Sequence, residues 1–391
     1  MKKARKIKRY RTLYRSSRRR SSAKVWKIVG FVALVAVIIF IGYSVAGPFI
    51  DLVQGRTKPS SPESSQSEES SEPEESSPDE PGEETPTADG TLQAVTLPLE
   101  AAADPQALSA FLAQAKAEKA TAVVLELKDT TGKLHYQSAV EQAQQYGAVA
   151  EDAFELEPVA AAIAASGMTP VAKMSAFMDR IAPDTSRNNG YMYKNTTSAW
   201  WDNAMEKGGK PWLNPYKSAA CDYLLALQSE VIEKGCTVVL WEKIEFPEVL
   251  SMASANVGNE FPGLSRQEIL NRFIGLCEDA AEAQGAEVFV SYPLSSAFGV
   301  YEDWYGGATT GFEAKNLAPV LDLSSFGSGF AVDGTAVDWS STETAVRQLM
   351  SGYLGMVGSS KRVVPVVTDP SVSEAAKTAL GAVGLQEVLL P

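Results

Sequence analysis

Eight short runs of apolar and β-branched residues constrain the fold of this chain more than any other feature. The runs lie at Gln93–Leu99, Thr121–Leu127, Pro170–Met174, Thr237–Trp241, Glu287–Tyr292, Pro319–Leu323, Arg362–Val367 and Gln386–Leu390. Between them lie segments with helical patterns, including Pro105–Lys119, Leu156–Ser166, Ser218–Lys234, Ser265–Gln284, Thr342–Leu354 and Ser373–Val383. The runs are apolar blocks rather than alternating patterns, which is typical of parallel strands buried on both faces. Eight such repeats predict an α/β fold, a (β/α)8 TIM barrel, which usually takes about 250 residues.

A doubly wound open sheet is the alternative architecture. Dinucleotide-binding sheets of that kind carry a Gly-rich turn directly after the first strand. Here Leu-Glu-Ala-Ala-Ala follows the first run, at 99–103. The barrel is therefore the preferred prediction.

The N-terminal part of the chain predicts a membrane anchor. Residues 1–27 form a basic tail with thirteen Lys or Arg and no acid, and residues 28–50 carry no charge. An uncharged stretch of that length can cross a bilayer as a helix, since about 20 apolar residues suffice. The positive-inside bias places the basic tail in the cytoplasm and the C-terminal domain outside the cell. Cleavage of a signal peptide after Ser44-Val45-Ala46 is the alternative.

A linker and one large domain follow the predicted anchor. Residues 51–90 consist largely of Ser, Pro and Glu and carry twelve acids, a composition that predicts a disordered linker. Residues 91–391 form the predicted barrel domain, long enough to bury its own core. We expect the membrane and a carbohydrate as partners. Nucleic acid is not expected as a partner, because the basic tail lies beside a membrane span. The sequence does not specify an oligomeric state.

The scarcity of histidine and cysteine excludes several chemistries. His135 is the only histidine, so a His-dependent triad or a multi-His metal site is not available. We therefore predict no metal and no cofactor. The three cysteines, Cys221, Cys236 and Cys277, predict buried thiols, although one pair could be bridged in an oxidising compartment.

Three long loops follow predicted strands, at Ala176–Tyr216, Ile244–Leu264 and Ser295–Asn316. Loops after strands build the active face of a barrel. Aromatic residues in and beside these loops could stack on sugar rings, while some of them could simply cap the barrel. The aromatic residues predicted to bind substrate are Trp201, Trp212, Tyr216, Trp241, Tyr292 and Trp304.

The fourth predicted strand leads directly into two carboxylates, Glu242 and Glu245. Ligand chemistry in parallel α/β proteins takes place at the carboxyl ends of strands. Glycoside hydrolysis needs two carboxyl groups, about 5–5.5 Å apart for retention or about 6.5–9.5 Å for inversion. We expect Glu242 to be the central carboxylate. Further acids close to predicted strand ends are Glu126, Asp129, Glu302, Asp303, Asp322 and Asp369.

Four sequence blocks resemble a known family. They are Leu-Glu-Leu-Lys-Asp-Thr-Thr-Gly (125–132), Met-Thr-Pro-Val-Ala-Lys (168–173), Trp-Leu-Asn-Pro-Tyr (212–216) and Leu-Trp-Glu-Lys-Ile-Glu-Phe-Pro (240–247). Together they resemble the glycoside-hydrolase-like barrel family of bacterial proteins, which is distantly similar to α-amylase-type barrels. The resemblance implies a nucleophile at position 242 and substrate contacts at Lys173 and Asn214, where the family usually has Arg and Asp.

The chain departs from the family pattern at the positions that carry chemistry. Glu242 replaces the family's Asp, Glu245 stands where the family has Arg, and the fifth strand ends without an acid. Partner carboxylates for Glu242 would then come from Glu245, Asp129, Asp369 or Glu302. Ion pairing is the alternative role for Glu245, and helix capping is the alternative for Asp369.

Three functions remain open at this point. The first is an envelope-facing glycosidase, the second a barrel that has lost catalysis and only binds extracellular glycan. The third is an interaction scaffold in the cell envelope. Fold alone does not choose among them. The sequence does not specify the glycan or the stereochemical outcome.

Overall fold

The computed structural model describes residues 93–247 and 250–390. The strands are β1 (Gln93–Thr96), β2 (Ala122–Lys128), β3 (Leu134–Tyr136), β4 (Val149–Phe154), β5 (Thr169–Ser175), β6 (Met192–Tyr193), β7 (Val238–Glu242), β8 (Ala255–Asn256), β9 (Glu287–Pro293), β10 (Asn316–Val320), β11 (Ala331–Val332), β12 (Thr335–Ala336), β13 (Arg362–Val363) and β14 (Val388–Leu389). The helices are α1 (Leu99–Ala102), α2 (Pro105–Ala117), α3 (Glu141–Tyr146), α4 (Leu156–Ala165), α5 (Ile181–Thr185), α6 (Ser218–Glu233), α7 (Arg266–Glu282), α8 (Leu294–Ala297), α9 (Glu302–Tyr305), α10 (Thr342–Val357) and α11 (Ser373–Ala382).

The predicted basic tail, membrane anchor and linker, residues 1–90, lie outside the described residues. Within 93–247 and 250–390, none of the helices combines the length and apolar character that a membrane crossing requires.

Eight parallel strands form a closed ring in the order β1, β2, β5, β7, β9, β10, β13 and β14. Val366, just beyond β13, closes it by forming parallel bridges to Val320 and Leu389. The Val367 amide also donates to the Leu389 carbonyl at 2.9 Å. An open doubly wound sheet lacks such closure, whereas the ring is compatible with the predicted (β/α)8 barrel. We call the end formed by the carboxyl ends of the strands the mouth, and the opposite end the base.

The ring separates two apolar cores because side chains alternate between the faces of a strand. The inner core consists of Ala94, Ala122, Val124, Val171, Val238, Leu240, Phe289, Ala318, Val364 and Leu389. The outer core lies between the strands and the helices and is much larger. Each strand is thus buried on both faces, which explains the apolar blocks in the sequence.

The six long helices start and end within three residues of their predicted bounds. Local capping explains several of these starts. The Asp104 side chain accepts hydrogen bonds from the first turn of α2, which begins with a proline. Ser265 and Glu268 form a capping box at α7, and Ser341 caps α10. Side-chain acceptors of this kind satisfy the free amides of a first turn.

The structure corrects three features of the predicted architecture. Residues 134–154, for which no strands were predicted, form β3, α3 and β4; β3 pairs antiparallel with β2 and parallel with β4. The sixth barrel strand is Asn316–Val320 rather than Pro319–Leu323. The repeat after β9 has only short helices, α8 and α9, before β10. Short polar elements of this kind produce little periodic signal in a sequence.

An arginine bridges two carboxylates at the base. The Arg362 guanidinium donates to both Glu387 oxygens at 2.9 and 2.6 Å and to Glu287 at 2.8 Å. It also lies 5.2 Å from the centre of the Phe289 ring. This fork geometry fixes β9, β13 and the start of β14 relative to one another.

Candidate functional site

A lysine links two carboxylates at the mouth. Glu126 on β2 and Lys173 on β5 are partners in the register of neighbouring strands, and Glu242 ends β7 on the other side of β5. The Lys173 ammonium lies 3.2 Å from Glu126 Oε1 and 3.4 Å from Glu242 Oε2. All three side chains are partly exposed. We call these three residues the mouth cluster.

The geometry of the mouth cluster limits the distance between its carboxylates. Both contacting oxygens touch the same ammonium nitrogen, so their separation cannot exceed the two contact distances added together. That limit includes the spacing of two carboxyls in retaining glycosidases, about 5–5.5 Å. Burial opposes the charged form of Lys173, but the charges of Glu242 and Glu126 outweigh it and raise the pKa of Lys173. Lys173 therefore carries its charge at neutral pH.

Glu245 lies beside the mouth cluster in the loop after β7. Its Oε2 accepts a hydrogen bond from the Tyr305 hydroxyl at 2.8 Å, and its Oε1 lies 3.4 Å from the Lys243 ammonium. Burial raises the pKa of Glu245, and Lys243 and Tyr305 counteract part of that rise. The charge of Glu242 also contributes to the rise, so the two carboxyls are within electrostatic reach of each other. Glu245 is thus a buried carboxyl held by one hydroxyl and one ammonium.

Two residues near Glu245 adopt left-handed backbone conformations. Lys243 has φ +59° and Tyr301 has φ +66°. Side chains of this size rarely adopt such angles, which cost about 1–3 kcal/mol and concentrate at functional sites. The loops that contain these residues are joined because the Phe246 amide donates to the Trp304 carbonyl at 2.8 Å.

Asp129 and His135 form an ion pair after β2, with 3.2 Å between Oδ2 and Nε2. Burial works against ionised Asp129, but hydrogen bonds from His135, Thr131 and Lys133 hold its pKa well below the usual range. The hydrogen bond to Asp129 raises the pKa of His135, and Glu126 adds to the rise. A carboxylate bound so tightly suits an orienting role better than proton transfer.

The structure does not join two of the predicted catalytic acids to the cluster. Asp369 is exposed and caps a single 3₁₀ turn, where its Oδ1 accepts from the Ser371 amide at 2.9 Å. Glu302 is an exposed residue on α9 and makes no contact with the mouth cluster among the described residues. Capping is thus the observed role of Asp369.

Trp241 and Tyr292 face outward, which corrects the prediction that they contact substrate. The Trp241 indole is fully buried and donates to Gln228 Oε1 at 2.7 Å on α6. The Tyr292 hydroxyl is 2.7 Å from that of Tyr353 on α10. Strand alternation explains both positions, since a neighbour of an inward-facing residue must face the helices.

The segment 212–216 is built into the protein interior. The Trp212 indole donates to Asp202 Oδ2 at 2.8 Å, the Asn214 amide donates to the Val257 carbonyl at 3.1 Å, and the Tyr216 hydroxyl donates to the Leu264 carbonyl at 3.0 Å. All three residues are buried. The contacts of Asn214 and Tyr216 hold the loops after β5 and β7 together, and burial argues against the predicted substrate contacts of all three residues.

Trp201 and Trp304 are the predicted aromatic residues that keep part of their surface exposed. Trp304 stacks on Tyr301 with 4.3 Å between ring centres and 22° between ring planes. Its backbone is tied to the loop of Glu245. Trp304 therefore remains the better placed of the two for stacking against a sugar, and both substrate contacts stay predictions.

Sequence reasoning undervalued Glu126, His135 and Tyr305. Glu126 interrupts the apolar run of β2, and it was expected only as one of several acids close to strand ends, without a role of its own. His135 lies on the unpredicted strand β3, and Tyr305 reaches Glu245 across 60 positions of sequence. No local pattern shows contacts of that range.

The described residues contain no group of three or more His, Cys, Asp and Glu side chains that could hold a metal ion. The three cysteines are all buried and free, as the predicted thiol state requires.

Several solved structures are similar to this chain. They include a hypothetical protein from Ruminiclostridium thermocellum (20% identity, 51% of this chain and 96% of that one, TM-score 0.43). An α-galactosidase from Thermus thermophilus matches at 10% identity over 77% of this chain and 57% of that one, with TM-score 0.45. An uncharacterised Listeria monocytogenes protein bound to glucose, magnesium and calcium matches at 14% identity over 77% of this chain, with TM-score 0.48. This chain spans only 28% of the Listeria protein. Likenesses this weak do not bear on activity.

Curated proteins provide no significant sequence match. A protein family does match, over residues 94–326, which extend from β1 to the segment after β10 and include every member of the mouth cluster. That match covers more than half of the chain. The protein therefore belongs to the family described as "Putative glycosyl hydrolase domain".

Proposed function

We propose that this protein is a membrane-anchored extracellular glycoside hydrolase that acts on cell-envelope or extracellular polysaccharide. The mouth cluster is the observation that carries the proposal: two carboxylates share one ammonium at the carboxyl ends of β2, β5 and β7. In a (β/α)8 barrel, which we take this ring to be, that end carries the active site. The upper limit on the separation of these two oxygens leaves room for the spacing that a retaining two-carboxylate mechanism requires.

Glu242 is the proposed nucleophile. It occupies the carboxyl end of the fourth barrel strand and is partly exposed to the mouth. Lys173 compensates its charge and fixes its position without covering it. Glu126 lies on the opposite side of Lys173, where its carboxylate can bind sugar hydroxyls or stabilise the positive charge that develops on the sugar ring.

The anchored location rests on the sequence. The basic tail 1–27 and the uncharged segment 28–50 favour a single-pass anchor with a cytoplasmic N-terminus. The Ser/Pro/Glu-rich segment 51–90 then acts as a spacer between the membrane and the catalytic domain. Protease treatment of intact cells tests this topology, since the domain should be cut from the cell surface while an N-terminal tag stays protected.

The enzymatic test compares the full-length protein in detergent with its Glu242→Gln variant on a panel of bacterial envelope and extracellular glycans. We expect new reducing ends with the wild type and a loss of at least about 100-fold in the variant. Gln keeps the shape of Glu242 and removes its charge, so circular dichroism should show an unchanged fold. Wild-type inactivity on every glycan would contradict the proposal.

Glycan binding without hydrolysis is the second candidate function. The absence of an acid among Ser291, Pro293 and their neighbours at the end of β9 favours it. The same panel separates the two candidates: retention of a glycan by both proteins, without release of sugar, would establish a binding module.

A further inference from the structure

One tryptophan on the side of the mouth is exposed although the fold holds it in place. Trp339 is 36% exposed, and the other tryptophans that the structure describes are more buried. It lies in the loop after β10, just before the Ser341 cap of α10. A helix that follows a strand of the ring begins near the carboxyl end of that strand. Trp339 is therefore on the same side of the ring as the mouth cluster.

Hydrogen bonds fix the backbone on both sides of Trp339. The Asp338 amide donates to Gln348 Oε1 on α10 at 2.6 Å, and the Ser340 amide donates to Asp338 Oδ1 at 2.9 Å. The exposed indole is thus carried by a backbone that is already ordered. Such preorganisation lowers the entropy cost of binding a ligand, because little further ordering is needed when the ligand arrives.

The indole of Trp339 is also supported by a cluster of phenylalanines. Its ring centre lies 6.5 Å from that of Phe326, with 42° between the ring planes. Phe326 is buried and packs edge-to-face on Phe330 at 4.8 Å and on Phe298 at 5.8 Å. Single apolar side chains on a surface are common and need no explanation. Trp339 differs from them because it is the exposed member of a packed aromatic group.

A chain of contacts leads from this group to the loop after β7. The Tyr301 hydroxyl donates to Ser325 Oγ, next to the phenylalanine cluster, at 3.4 Å. Tyr301 stacks on Trp304, and the Trp304 carbonyl accepts from the Phe246 amide at 2.8 Å. Tyr301 and Trp304 are both partly exposed. Aromatic side chains therefore extend across the loops after β9 and β10, starting from the segment that follows the mouth cluster.

The surroundings of Trp339 suit a sugar better than a protein partner. Trp339 is the one large apolar side chain that is exposed within residues 321–341, all of which the structure describes, and its neighbours Asp338 and Ser340 are exposed and polar. A protein interface takes about 800 Å² from each partner and has an apolar centre. A sugar ring needs less: a flat aromatic face for its C–H groups, with hydroxyl and carboxylate groups beside it.

We propose that Trp339 forms a second sugar-binding subsite, on which one unit of a polysaccharide chain stacks while another unit of the same chain lies at the mouth cluster. This inference rests on the proposed function and specifies its substrate class, a polymer bound over several units rather than a single terminal sugar. Contacts at two positions on one molecule reinforce each other, since the second forms within an existing complex. Affinity should therefore increase with the length of the glycan.

The test measures dissociation constants of the full-length protein in detergent by isothermal titration calorimetry. The probes are two-unit and six-unit fragments of chitin, cellulose and starch, and of any glycan that the hydrolysis panel shows to be cleaved. We expect the wild type to bind the six-unit fragment of at least one series at least about 10-fold more tightly than the two-unit fragment. Trp339→Ala should lose about 10-fold on that six-unit fragment and less on the two-unit fragment.

Two further variants separate stacking from a structural role of Trp339. Trp339→Phe keeps a flat ring on the same backbone, so it should recover most of the lost affinity. Met356→Ala is the matched control: its side chain is 45% exposed on the last turn of α10, toward the base, and its removal should change neither affinity.

The outcomes distinguish this inference from the proposed hydrolysis. Equal affinities of the wild type and Trp339→Ala for the six-unit fragments would overturn the subsite, even with hydrolysis intact, and would favour a protein partner for the exposed indole. A wild type that binds none of the six-unit fragments would overturn it as well. Binding that depends on Trp339, without release of sugar from any glycan, would instead uphold the subsite and overturn the hydrolase function.

Discussion

The two ends of the strand ring use the same charge arrangement in different ways. Each end places one basic side chain between two glutamates: Arg362 at the base and Lys173 at the mouth. At the base the contacts are 2.6–2.9 Å, bidentate to Glu387 and single to Glu287, while at the mouth they are 3.2 and 3.4 Å to single oxygens.

The difference follows from the two cations. A guanidinium makes a rigid fork that matches carboxylates, whereas an ammonium is a compact charge that leaves carboxylate oxygens free. The base is therefore built to hold strands together. The mouth cluster engages one oxygen of each glutamate and leaves all three side chains partly exposed, which suits a binding or catalytic site better than a structural one.

The largest expected effect concerns a third ion pair, Lys128–Asp179. It tests whether a charged pair is structural because of its place in the ring or because it is buried. Lys128 and Asp179 lie near the mouth, yet both are fully buried with 2.9 Å between Nζ and Oδ2. Asp179→Asn should lower the free energy of unfolding by about 3–5 kcal/mol, because it leaves the Lys128 charge uncompensated. Urea denaturation measures this. Lys128→Met combined with Asp179→Asn should recover part of the loss, because no uncompensated buried charge remains and Asn keeps the oxygen that accepts from the Ile181 and Ala182 amides. If Asp179→Asn alone were as stable as the wild type, a structural role of the pair would be refuted.

The next effect concerns Lys173 itself. Lys173→Met should reduce hydrolysis by about 100-fold, because Glu126 and Glu242 then repel each other and lose their shared positioning charge. The unfolding free energy should fall by only about 1 kcal/mol, since the three side chains are partly exposed. Initial rates and urea denaturation of the same samples give both values. An unchanged rate would make the mouth cluster as structural as the base.

The opposite pattern is expected at the base, where a substitution should lower stability without lowering the rate of hydrolysis. Arg362→Met should lower the free energy of unfolding by about 2 kcal/mol, because three charge-assisted hydrogen bonds are lost at a half-exposed site. The rate per folded molecule should not change. Arg362→Lys is the matched control and should recover only part of the stability, since lysine cannot form the fork. A large loss of rate would contradict the division of roles between the two ends.

The smallest expected effect is a pH dependence of the unfolding free energy that arises from the Asp129–His135 pair near the mouth. The folded-state pKa of His135 lies above its ordinary value, so the stability it contributes is complete below about pH 6.5 and is lost as pH rises through the folded pKa. Asp129, with a lowered pKa, stays ionised across that window.

His135→Gln should therefore remove about 0.5 kcal/mol of the decline in stability between pH 6 and pH 9. Urea denaturation at both pH values measures it. Arg362 does not titrate in this range, so Arg362→Met should leave the decline unchanged. A decline of the same size in His135→Gln as in the wild type would exclude this pair as its source.

Sequence alone predicted the elements of the fold well and the site only in part. Strands such as β7 were found because apolar blocks bounded by helices have a strong local signal. The same apolar blocks do not show which face of a strand is inward, so Trp241 was expected to contact substrate although its side chain faces the helices. The polar residue at the strand end was the better guide.

The assembly of the site depends on register between distant strands. Glu126 lies opposite Lys173, which is 47 positions away, and Tyr305 meets Glu245 at 60 positions. Such contacts follow from tertiary packing rather than from local propensity. The capping of the turn after Asp369 could be foreseen, since Asp before Pro is a common start for a helical turn.

The closure of the ring by its last strand has a consequence for how this protein is made. β14 pairs with β1 and with the segment after β13, so the first strand finds one of its two neighbours almost 300 residues later. As the chain emerges from the ribosome, one edge of β1 stays open until β14 has been made. Contacts of such separation slow folding, and open strand edges attract other chains. Biosynthesis of this protein should therefore be most vulnerable to aggregation before β14 has been made, and the loss of this short strand should harm the yield more than its length suggests.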